Sequence, residues 1–120
     1  MDEVRSVKPA VKFDDFARLD LRVARVLDCR EHTNADKLLV LKVDLGTERR
    51  QICAALKAHY RPDELVGKLV VVLANLETRN MRGEASQGMI LMAKEAAKDG
   101  HERVVVLSPT GNLAPGTPAG

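Results

Sequence analysis

Two short polar segments of this sequence stand directly before apolar runs, at the kind of position where a loop enters a strand. They are Asn34-Ala35-Asp36-Lys37 and Ser86-Gln87-Gly88-Met89, roughly fifty residues apart. Loops held on a rigid sheet carry binding groups more often than the sheet itself does. The two segments therefore predict one binding surface at the ends of strands.

Each segment has a binding interpretation and a structural one. Asn34, Lys37 and Ser86 can donate to phosphate or sugar oxygens. Met89 offers a deformable apolar contact. The structural interpretation of the first segment is a turn, since Asn and Asp hydrogen-bond their own backbone. For the second it is a strand start at which Gly88 relieves a crowded barrel corner.

Basic side chains near these segments favour a polyanionic ligand. The net charge is only +2, so a surface that binds nucleic acid has to concentrate its cations on one side. The strongest candidates are Lys37, Arg79 and Arg82, and others that can share that side are Arg22, Lys42, Arg49, Arg50 and Lys57. Aromatic residues make up 2% of the chain, which argues against stacking of unpaired bases.

The spacing of reactive residues predicts neither catalysis nor a bound metal or cofactor. Cys29 and Cys53 form no CxxC pair, and the three histidines are scattered. The acidic residues accompany no nucleophile–base pair, and the sequence has no GxxxxGK[ST], GxGxxG, HExxH or GxSxG motif.

Length and composition predict one globular domain in the cytoplasm. The chain has 120 residues, of which 45% are hydrophobic and 30% charged. Its apolar runs fall well short of the roughly 20 residues that span a bilayer, which argues against membrane association. The N-terminal residues lack the apolar core of a signal peptide.

Alternation of apolar and polar residues predicts five principal strands and a short sixth, over residues 19–29, 38–45, 49–56, 68–75, 87–92 and 104–107. The alternation changes phase at Arg25-Val26-Leu27, which predicts a bulge or a bend in the first strand. Residues 62–66 predict a short helix between the third and fourth strands, because Pro62 suits a first helical turn and acidic residues follow it.

The remaining segments predict smaller elements. Residues 13–17 predict a helical turn that two phenylalanines pin to the core, and residues 93–98 predict another turn of helix. Residues 1–12 are interpreted as a leader or linker, and the Pro- and Gly-rich tail from residue 109 as an extended segment.

This order of elements predicts an all-β fold, a five-stranded Greek-key oligonucleotide/oligosaccharide-binding (OB) barrel with a short helix between strands three and four. In that fold the ligand face comprises strands two and three with the loops that join strands one to two and four to five. Residues 32–36 fall in the first of these loops and residues 77–85 in the second. The two polar segments therefore flank the expected binding face.

Six blocks of this sequence, in order, carry a resemblance to one family. They are Phe13-Asp14-Asp15-Phe16, Leu19-Asp20-Leu21-Arg22-Val23, Asn34-Ala35-Asp36-Lys37-Leu38, Glu64-Leu65-Val66-Gly67-Lys68, Ala74-Asn75-Leu76 and Ser86-Gln87-Gly88-Met89-Ile90-Leu91. The chain resembles the tRNA-binding domain at the C-terminus of many bacterial methionyl-tRNA synthetases, together with its free-standing and EMAP-II-like relatives. The resemblance runs from about residue 13 to residue 116.

The resemblance implies an OB-fold homodimer that binds tRNA by its folded shape, without strict sequence preference and without catalysis. It implies tRNA contacts at Asn34, Lys37, Arg79, Ser86 and Met89. The expected partners are tRNA, a second copy and, if the domain is an appended one, a methionyl-tRNA synthetase catalytic chain. The expected domain covers residues 13–120, with a C-terminal dimerisation extension.

Three departures from the family pattern predict a weaker tRNA binder. Thr33 stands where the family commonly has proline, and Ala54-Ala55 where it commonly has Ser-Gly. Glu77 and Asn80 stand where basic residues are common, beside the expected RNA face.

Two alternative functions remain open on the same fold. One is a peptide-binding dimer like the related export chaperones, with Met81, Met89 and Met92 exposed in a groove. The other is a general binder of single strands, against which the shortage of aromatic residues argues.

Overall fold

The computed structural model describes residues 6–120, and strands dominate that range. The elements in chain order are α1 (Phe13–Ala17), β1 (Leu21–Glu31), β2 (Leu39–Asp44), β3 (Arg49–Ala54), α2 (Pro62–Leu65), β4 (Leu69–Leu73), β5 (Arg79–Met81), β6 (Glu84–Ser86), β7 (Met89–Ile90), β8 (Met92–Ala96), β9 (Glu102–Val106) and β10 (Pro118–Ala119).

The main sheet is antiparallel and curls into a nearly closed barrel. Its strand order is β3-β2-β1-β4-β7, and β10 pairs with the start of β1. One face of the sheet encloses the core, whose largest fully buried side chains are Leu39, Leu41, Ile52, Leu56, Leu65 and Ile90. This architecture confirms the predicted all-β, OB-like fold.

The bulge predicted in the first strand is present. The pairing of β1 with β2 shifts register between Val26 and Asp28, which leaves Leu27 as the extra residue. Such a bulge sharpens the local twist and bends the strand. It lets β1 pair with β4 in its first half and with β2 in its second half.

The helix predicted between the third and fourth strands is also confirmed as α2. Pro62 occupies its first turn, and the Glu64 carboxylate accepts the Arg61 N–H at 2.7 Å. Leu65 is fully buried against the barrel. The chain then turns at Gly67, whose φ of +86° favours glycine.

The prediction that two phenylalanines pin α1 to the core is wrong. The helix itself is present, but it has no buried residue, and Phe13 is 76% exposed. The ring of Phe16 lies near Gly120 at the other end of the chain, and the two rings contact each other at 6.3 Å between centroids. A single helical turn is too short to place both rings under the sheet.

The predicted fifth strand is interrupted, and the helical turn predicted at residues 93–98 is wrong. Of the residues predicted to form that strand, those of β7 pair with β4, whereas β8 begins two residues later and pairs with β9 over its whole length. The Ala- and Lys-containing sequence favours a helix locally, but pairing with the Val-rich β9 overrides that preference.

The C-terminal tail is extended and fastened to the barrel. Val23 donates its N–H to the Thr117 carbonyl at 2.9 Å, and Gly116 donates its N–H to Val23 at 2.7 Å. A Cβ at Gly116 would lie 2.1 Å from the Leu45 carbonyl oxygen, so the turn after β2 and the tail meet without space for a side chain. No helix in the described range is long and apolar enough to cross a membrane.

Candidate nucleic-acid interface

A hairpin that the sequence did not predict lies over the outer face of the barrel sheet. Strands β5 and β6 form this β5–β6 hairpin (residues 79–86) within the segment expected to be a loop. Met81 packs against Leu38, Val40 and Cys53, which are 2–7% exposed and point away from the main core. The hairpin therefore covers part of the face of strands two and three that the fold leaves open to ligand in the simplest OB barrel.

Polar contacts fasten the β5–β6 hairpin to β1 and β3. Arg30 forms an ion pair with Glu84 at 2.7 Å, and the Gln51 side-chain amide donates to Glu84 at 3.1 Å and to the Ala85 carbonyl at 2.9 Å. The hydrogen bond from Arg30 holds the pKa of the Glu84 carboxyl below its usual value, and the bond from Gln51 acts in the same direction. The ionised carboxylate thus serves as the anchor.

Arg82 sits at the tip of the hairpin in a left-handed backbone conformation. Its φ is +60° and that of Gly83 is +99°, the pattern of a type I′ turn. The Asn80 side chain accepts the Gly83 N–H at 2.8 Å and closes the turn. Arginine is an unfavourable residue at such a position, where Asn and Gly are preferred, and an outlier of this kind points towards function.

His32 joins the hairpin to the β1–β2 loop (residues 32–38). The ring is buried, with 5% of its surface exposed. Its Nδ1 accepts the Asn34 N–H at 2.9 Å, and its Nε2 lies 2.8 Å from the Met81 carbonyl oxygen. Because Nδ1 accepts, the network assigns the proton to Nε2, which donates to Met81. Nothing in the spacing of the three histidines signals this role, so the sequence did not predict it.

Ser86 is buried in the barrel, so its position supports the structural interpretation of the Ser86–Met89 segment. Only 1% of its surface is exposed. Its hydroxyl accepts a hydrogen bond from the Cys53 N–H at 3.0 Å and donates one to the Gly88 carbonyl at 3.1 Å. A buried hydroxyl with both partners in the barrel cannot reach an external phosphate. We therefore correct the expectation that Ser86 contacts RNA.

Gln87 and Gly88 lie between β3 and β7, the two edge strands of the main sheet. Gln87 exchanges two hydrogen bonds with the backbone of Gln51, one from its own N–H at 2.8 Å and one to its side-chain oxygen at 3.0 Å. A Cβ on Gly88 would lie 2.9 Å from the Leu73 carbonyl oxygen, and its φ is +134°. The glycine is therefore required by the backbone at this position. The two hydrogen bonds of Gln87 stand in for strand pairing along the free edge of β3.

The remaining candidate residues are on the surface. Asn34, Lys37, Arg79 and Arg82 are exposed, and Met89 is 39% exposed just beyond the hairpin. Within residues 6–120, Lys37, Arg79 and Arg82 form no ion pair, whereas five other cations do: Arg22, Arg30, Arg50, Lys57 and Arg61. The joined loop and hairpin thus carry three exposed cations that form no ion pair, with the exposed Asp36 beside one of them.

A nearly closed barrel of this topology, with exposed cations on the β1–β2 loop and the β5–β6 hairpin, is an OB-like module. Residues 21–118 match the sequence model of the family described as "putative tRNA binding domain". The chain belongs to that family.

Its relatives include much longer proteins. The chain is 57% identical over 99 residues to a methionine–tRNA ligase of Pyrococcus abyssi, which covers 82% of the chain and 13% of the ligase. A methionine–tRNA ligase of Thermotoga maritima is 47% identical over 116 residues, 97% of the chain and 18% of the ligase. The chain thus spans less than a fifth of the length of these relatives.

Solved structures share the whole fold. A MetRS-related protein from Pyrococcus horikoshii superposes with a TM-score of 0.83 at 27% identity, covering 93% of this chain and 99% of that one. The chaperone CsaA from Bacillus anthracis superposes with a TM-score of 0.80 at 27% identity, covering 93% of this chain and 100% of that one.

Proposed function

We propose that this chain binds tRNA, without catalysis and without a cofactor, through the β1–β2 loop and the β5–β6 hairpin. Lys37, Arg79 and Arg82 contact phosphates, and Asn34 and Met89 flank them. The observation that carries the proposal is that these exposed cations lie on two segments that His32 fastens together. Membership of the tRNA-binding family supports RNA as the polyanion.

Recognition by shape and phosphate fits the groups at this surface. Guanidinium forks bind phosphate oxygens in two-point contacts, and an Asn amide suits a 2′-hydroxyl. None of the candidate contact residues is aromatic, so unstacked bases have no platform there. Folded RNA can be read through phosphates, 2′-hydroxyls and helical shape.

A titration of folded tRNA at low salt tests this function. We expect Arg79→Ala to weaken binding and to reduce the slope of log K against log salt by roughly 0.7–0.9, the value for one phosphate contact. Arg103→Ala is the matched control, because Arg103 is exposed on the separate β8–β9 ribbon. No binding of the wild-type chain up to about 100 μM, or an equal effect of both variants, would contradict the proposal.

We further propose a homodimer that uses the outer side of β9. Val105 and Leu107 are 38% and 41% exposed, and with Tyr60 and Leu65 they line an open groove of about 500 Å³. Val105→Glu should convert the dimer to a monomer in sedimentation, while Glu95→Gln on the facing strand should leave it unchanged. A wild-type chain that sediments as a monomer would contradict this proposal.

The cellular setting that we propose is the cytoplasm, with the chain either free-standing or combined with a methionyl-tRNA synthetase catalytic chain. The two methionine–tRNA ligases support the link, since a segment of each matches this chain. Linking a second tRNA-binding module raises the apparent affinity of a synthetase through effective concentration. Residues 13–120 would form the binding domain and residues 1–12 a leader, of which residues 1–5 lie outside the described range.

The likeness to a chaperone keeps peptide binding as a second candidate function. Met89 is exposed and Met92 is half-buried, but the Met81 side chain packs from the hairpin onto the small apolar cluster of the sheet and is not part of an open apolar groove. Binding of an apolar peptide that tRNA does not compete with would favour this candidate. Competition by tRNA, or no peptide binding, favours the first.

A further inference from the structure

We infer that His32 is a positioning residue that makes the β1–β2 loop and the β5–β6 hairpin act as one RNA-binding unit. This inference rests on the proposed function. The imidazole does not itself touch the ligand, because it is buried beneath the surface that carries the candidate contacts. It acts through the two peptide groups that it holds.

The two hydrogen bonds of the ring end at the residues that matter for contact. On one side the ring fixes the N–H of Asn34, itself a candidate RNA contact. On the other it fixes the carbonyl of Met81, in the peptide that leads directly into Arg82. One side chain therefore sets the orientation of the loop and of the strained hairpin tip together.

The other contacts of the hairpin do not substitute for this link. Arg30 and Gln51 connect Glu84 to strands β1 and β3, not to the loop. Among the hydrogen bonds of residues 6–120, the bond from His32 Nε2 to the Met81 carbonyl is the side-chain bond that joins loop to hairpin, and the bond at Nδ1 fixes the ring within the loop. The apolar packing of Met81 and Ala35 on one small cluster supports the same juxtaposition but fixes no peptide orientation.

Two conservative substitutions each remove one of the two hydrogen bonds of the His32 ring. In His32→Asn the amide oxygen replaces Nδ1 and keeps the bond to Asn34, but the reach to Met81 is lost. In His32→Gln the amide nitrogen replaces Nε2 and keeps the bond to Met81, but Asn34 loses its acceptor. Because each variant removes one hydrogen bond, we expect each to weaken tRNA binding by about three- to tenfold.

The sharper readout is a double-mutant cycle measured by tRNA titration. With the bond to Met81 lost in His32→Asn, Arg82→Ala should cost about threefold less affinity than it does in the wild-type chain, because the tip is no longer tied to the loop. In His32→Gln the effect of Arg82→Ala should stay near its wild-type size. A purely structural role would lower stability but would not produce this asymmetry between the two variants.

Spectroscopy tests the link without RNA. The nitrogen chemical shifts of the His32 ring should report one protonated and one unprotonated nitrogen, with the proton on Nε2. Amide hydrogen exchange at Asn34 should accelerate in His32→Gln and stay near wild type in His32→Asn. His101→Gln, in the exposed turn of the β8–β9 ribbon, is the matched control and should change none of these values.

The outcomes separate the inference from the proposed function. If wild-type chain binds tRNA but the His32 cycles are additive, the positioning role is wrong and the function stands. If wild-type chain does not bind tRNA, the function is wrong, and the inference falls with it. If a His32 variant does not fold, the Lys37→Ala and Arg82→Ala pair in the wild-type background decides: a coupling of about threefold supports one unit, and additivity overturns it.

Discussion

At the scale of single residues, polar side chains of the β5–β6 hairpin divide into those that hold the barrel and those that face solvent. Ser86 holds the barrel, whereas Arg82, four residues earlier, is exposed at the hairpin tip. Sequence alone left both interpretations open, because hydrogen-bonding capacity does not reveal where the partners lie. For Gly88, the structural interpretation follows only from the structure, because the Leu73 carbonyl occupies the space that a side chain would need.

Ser86→Ala should destabilise the chain without removing an RNA contact. The change leaves the Cys53 N–H and the Gly88 carbonyl without their buried partner, so we expect a loss of about 1–3 kcal/mol in the free energy of unfolding. Urea denaturation measures it, with the exposed Ser108→Ala as control. A large fall in tRNA affinity with unchanged stability would show that Ser86 contacts RNA after all.

Arg82→Asn should raise the stability of the chain while it weakens tRNA binding. Asparagine tolerates the left-handed conformation that arginine adopts here, so we expect the free energy of unfolding to rise by about 0.5–1 kcal/mol. Binding of tRNA should weaken, because the guanidinium is lost. A less stable variant would indicate that the Arg82 side chain makes stabilising contacts within the protein.

At the scale of elements, the sequence predicted those whose local signals agree with their tertiary setting. The bulge of β1 followed from a phase change, and α2 followed from Pro62 and its acidic first turn. The β5–β6 hairpin and β8 did not follow, because three-residue strands carry too little alternation and β8 has a helix-favouring composition. Each of these strands pairs with the next strand along the chain, and the β5–β6 hairpin is also fastened to β1 and β3 by side-chain contacts.

The anchoring of the β5–β6 hairpin should depend on pH through Glu84. Its folded pKa is lowered, so the ion pair stabilises the chain above the usual glutamate pKa, near 4.3, and that stabilisation is lost as the pH falls through the folded value. Glu84→Gln should therefore lower the Tm at pH 7, with the difference from wild type shrinking towards pH 4 and below. An equal difference at both pH values would contradict the anchoring role.

The docking of the C-terminal tail should depend on Gly116. In Gly116→Ala the new methyl group meets the Leu45 carbonyl, and the φ of +91° adds backbone strain. We expect a loss of roughly 1–3 kcal/mol in the free energy of unfolding. Gly111→Ala is the matched control, since a Cβ there has open space. Equal stability of the two variants would mean that the tail does not pack as described.

At the scale of the whole molecule, placement of charge matters more than its sum. The net charge of +2 describes a nearly neutral chain, yet Lys37, Arg79 and Arg82 lie on the loop and the hairpin that His32 connects, and within residues 6–120 none of the three forms an ion pair. The sequence predicted these three residues from their loops. It could not predict that a hairpin and a buried histidine would bring the loops together, because both depend on pairing across about fifty residues.

The most direct test of this account is the salt dependence of tRNA binding by a triple variant. Replacing Lys37, Arg79 and Arg82 by alanine should reduce the slope of log K against log salt by roughly 2–3, since three phosphate contacts are lost. The matched control replaces Lys94, Lys98 and Arg103 of the β8–β9 ribbon by alanine, which removes the same charge, and it should keep the wild-type slope. Equal slopes for the two triple variants would contradict the claim that the joined loop and hairpin form the RNA-binding surface.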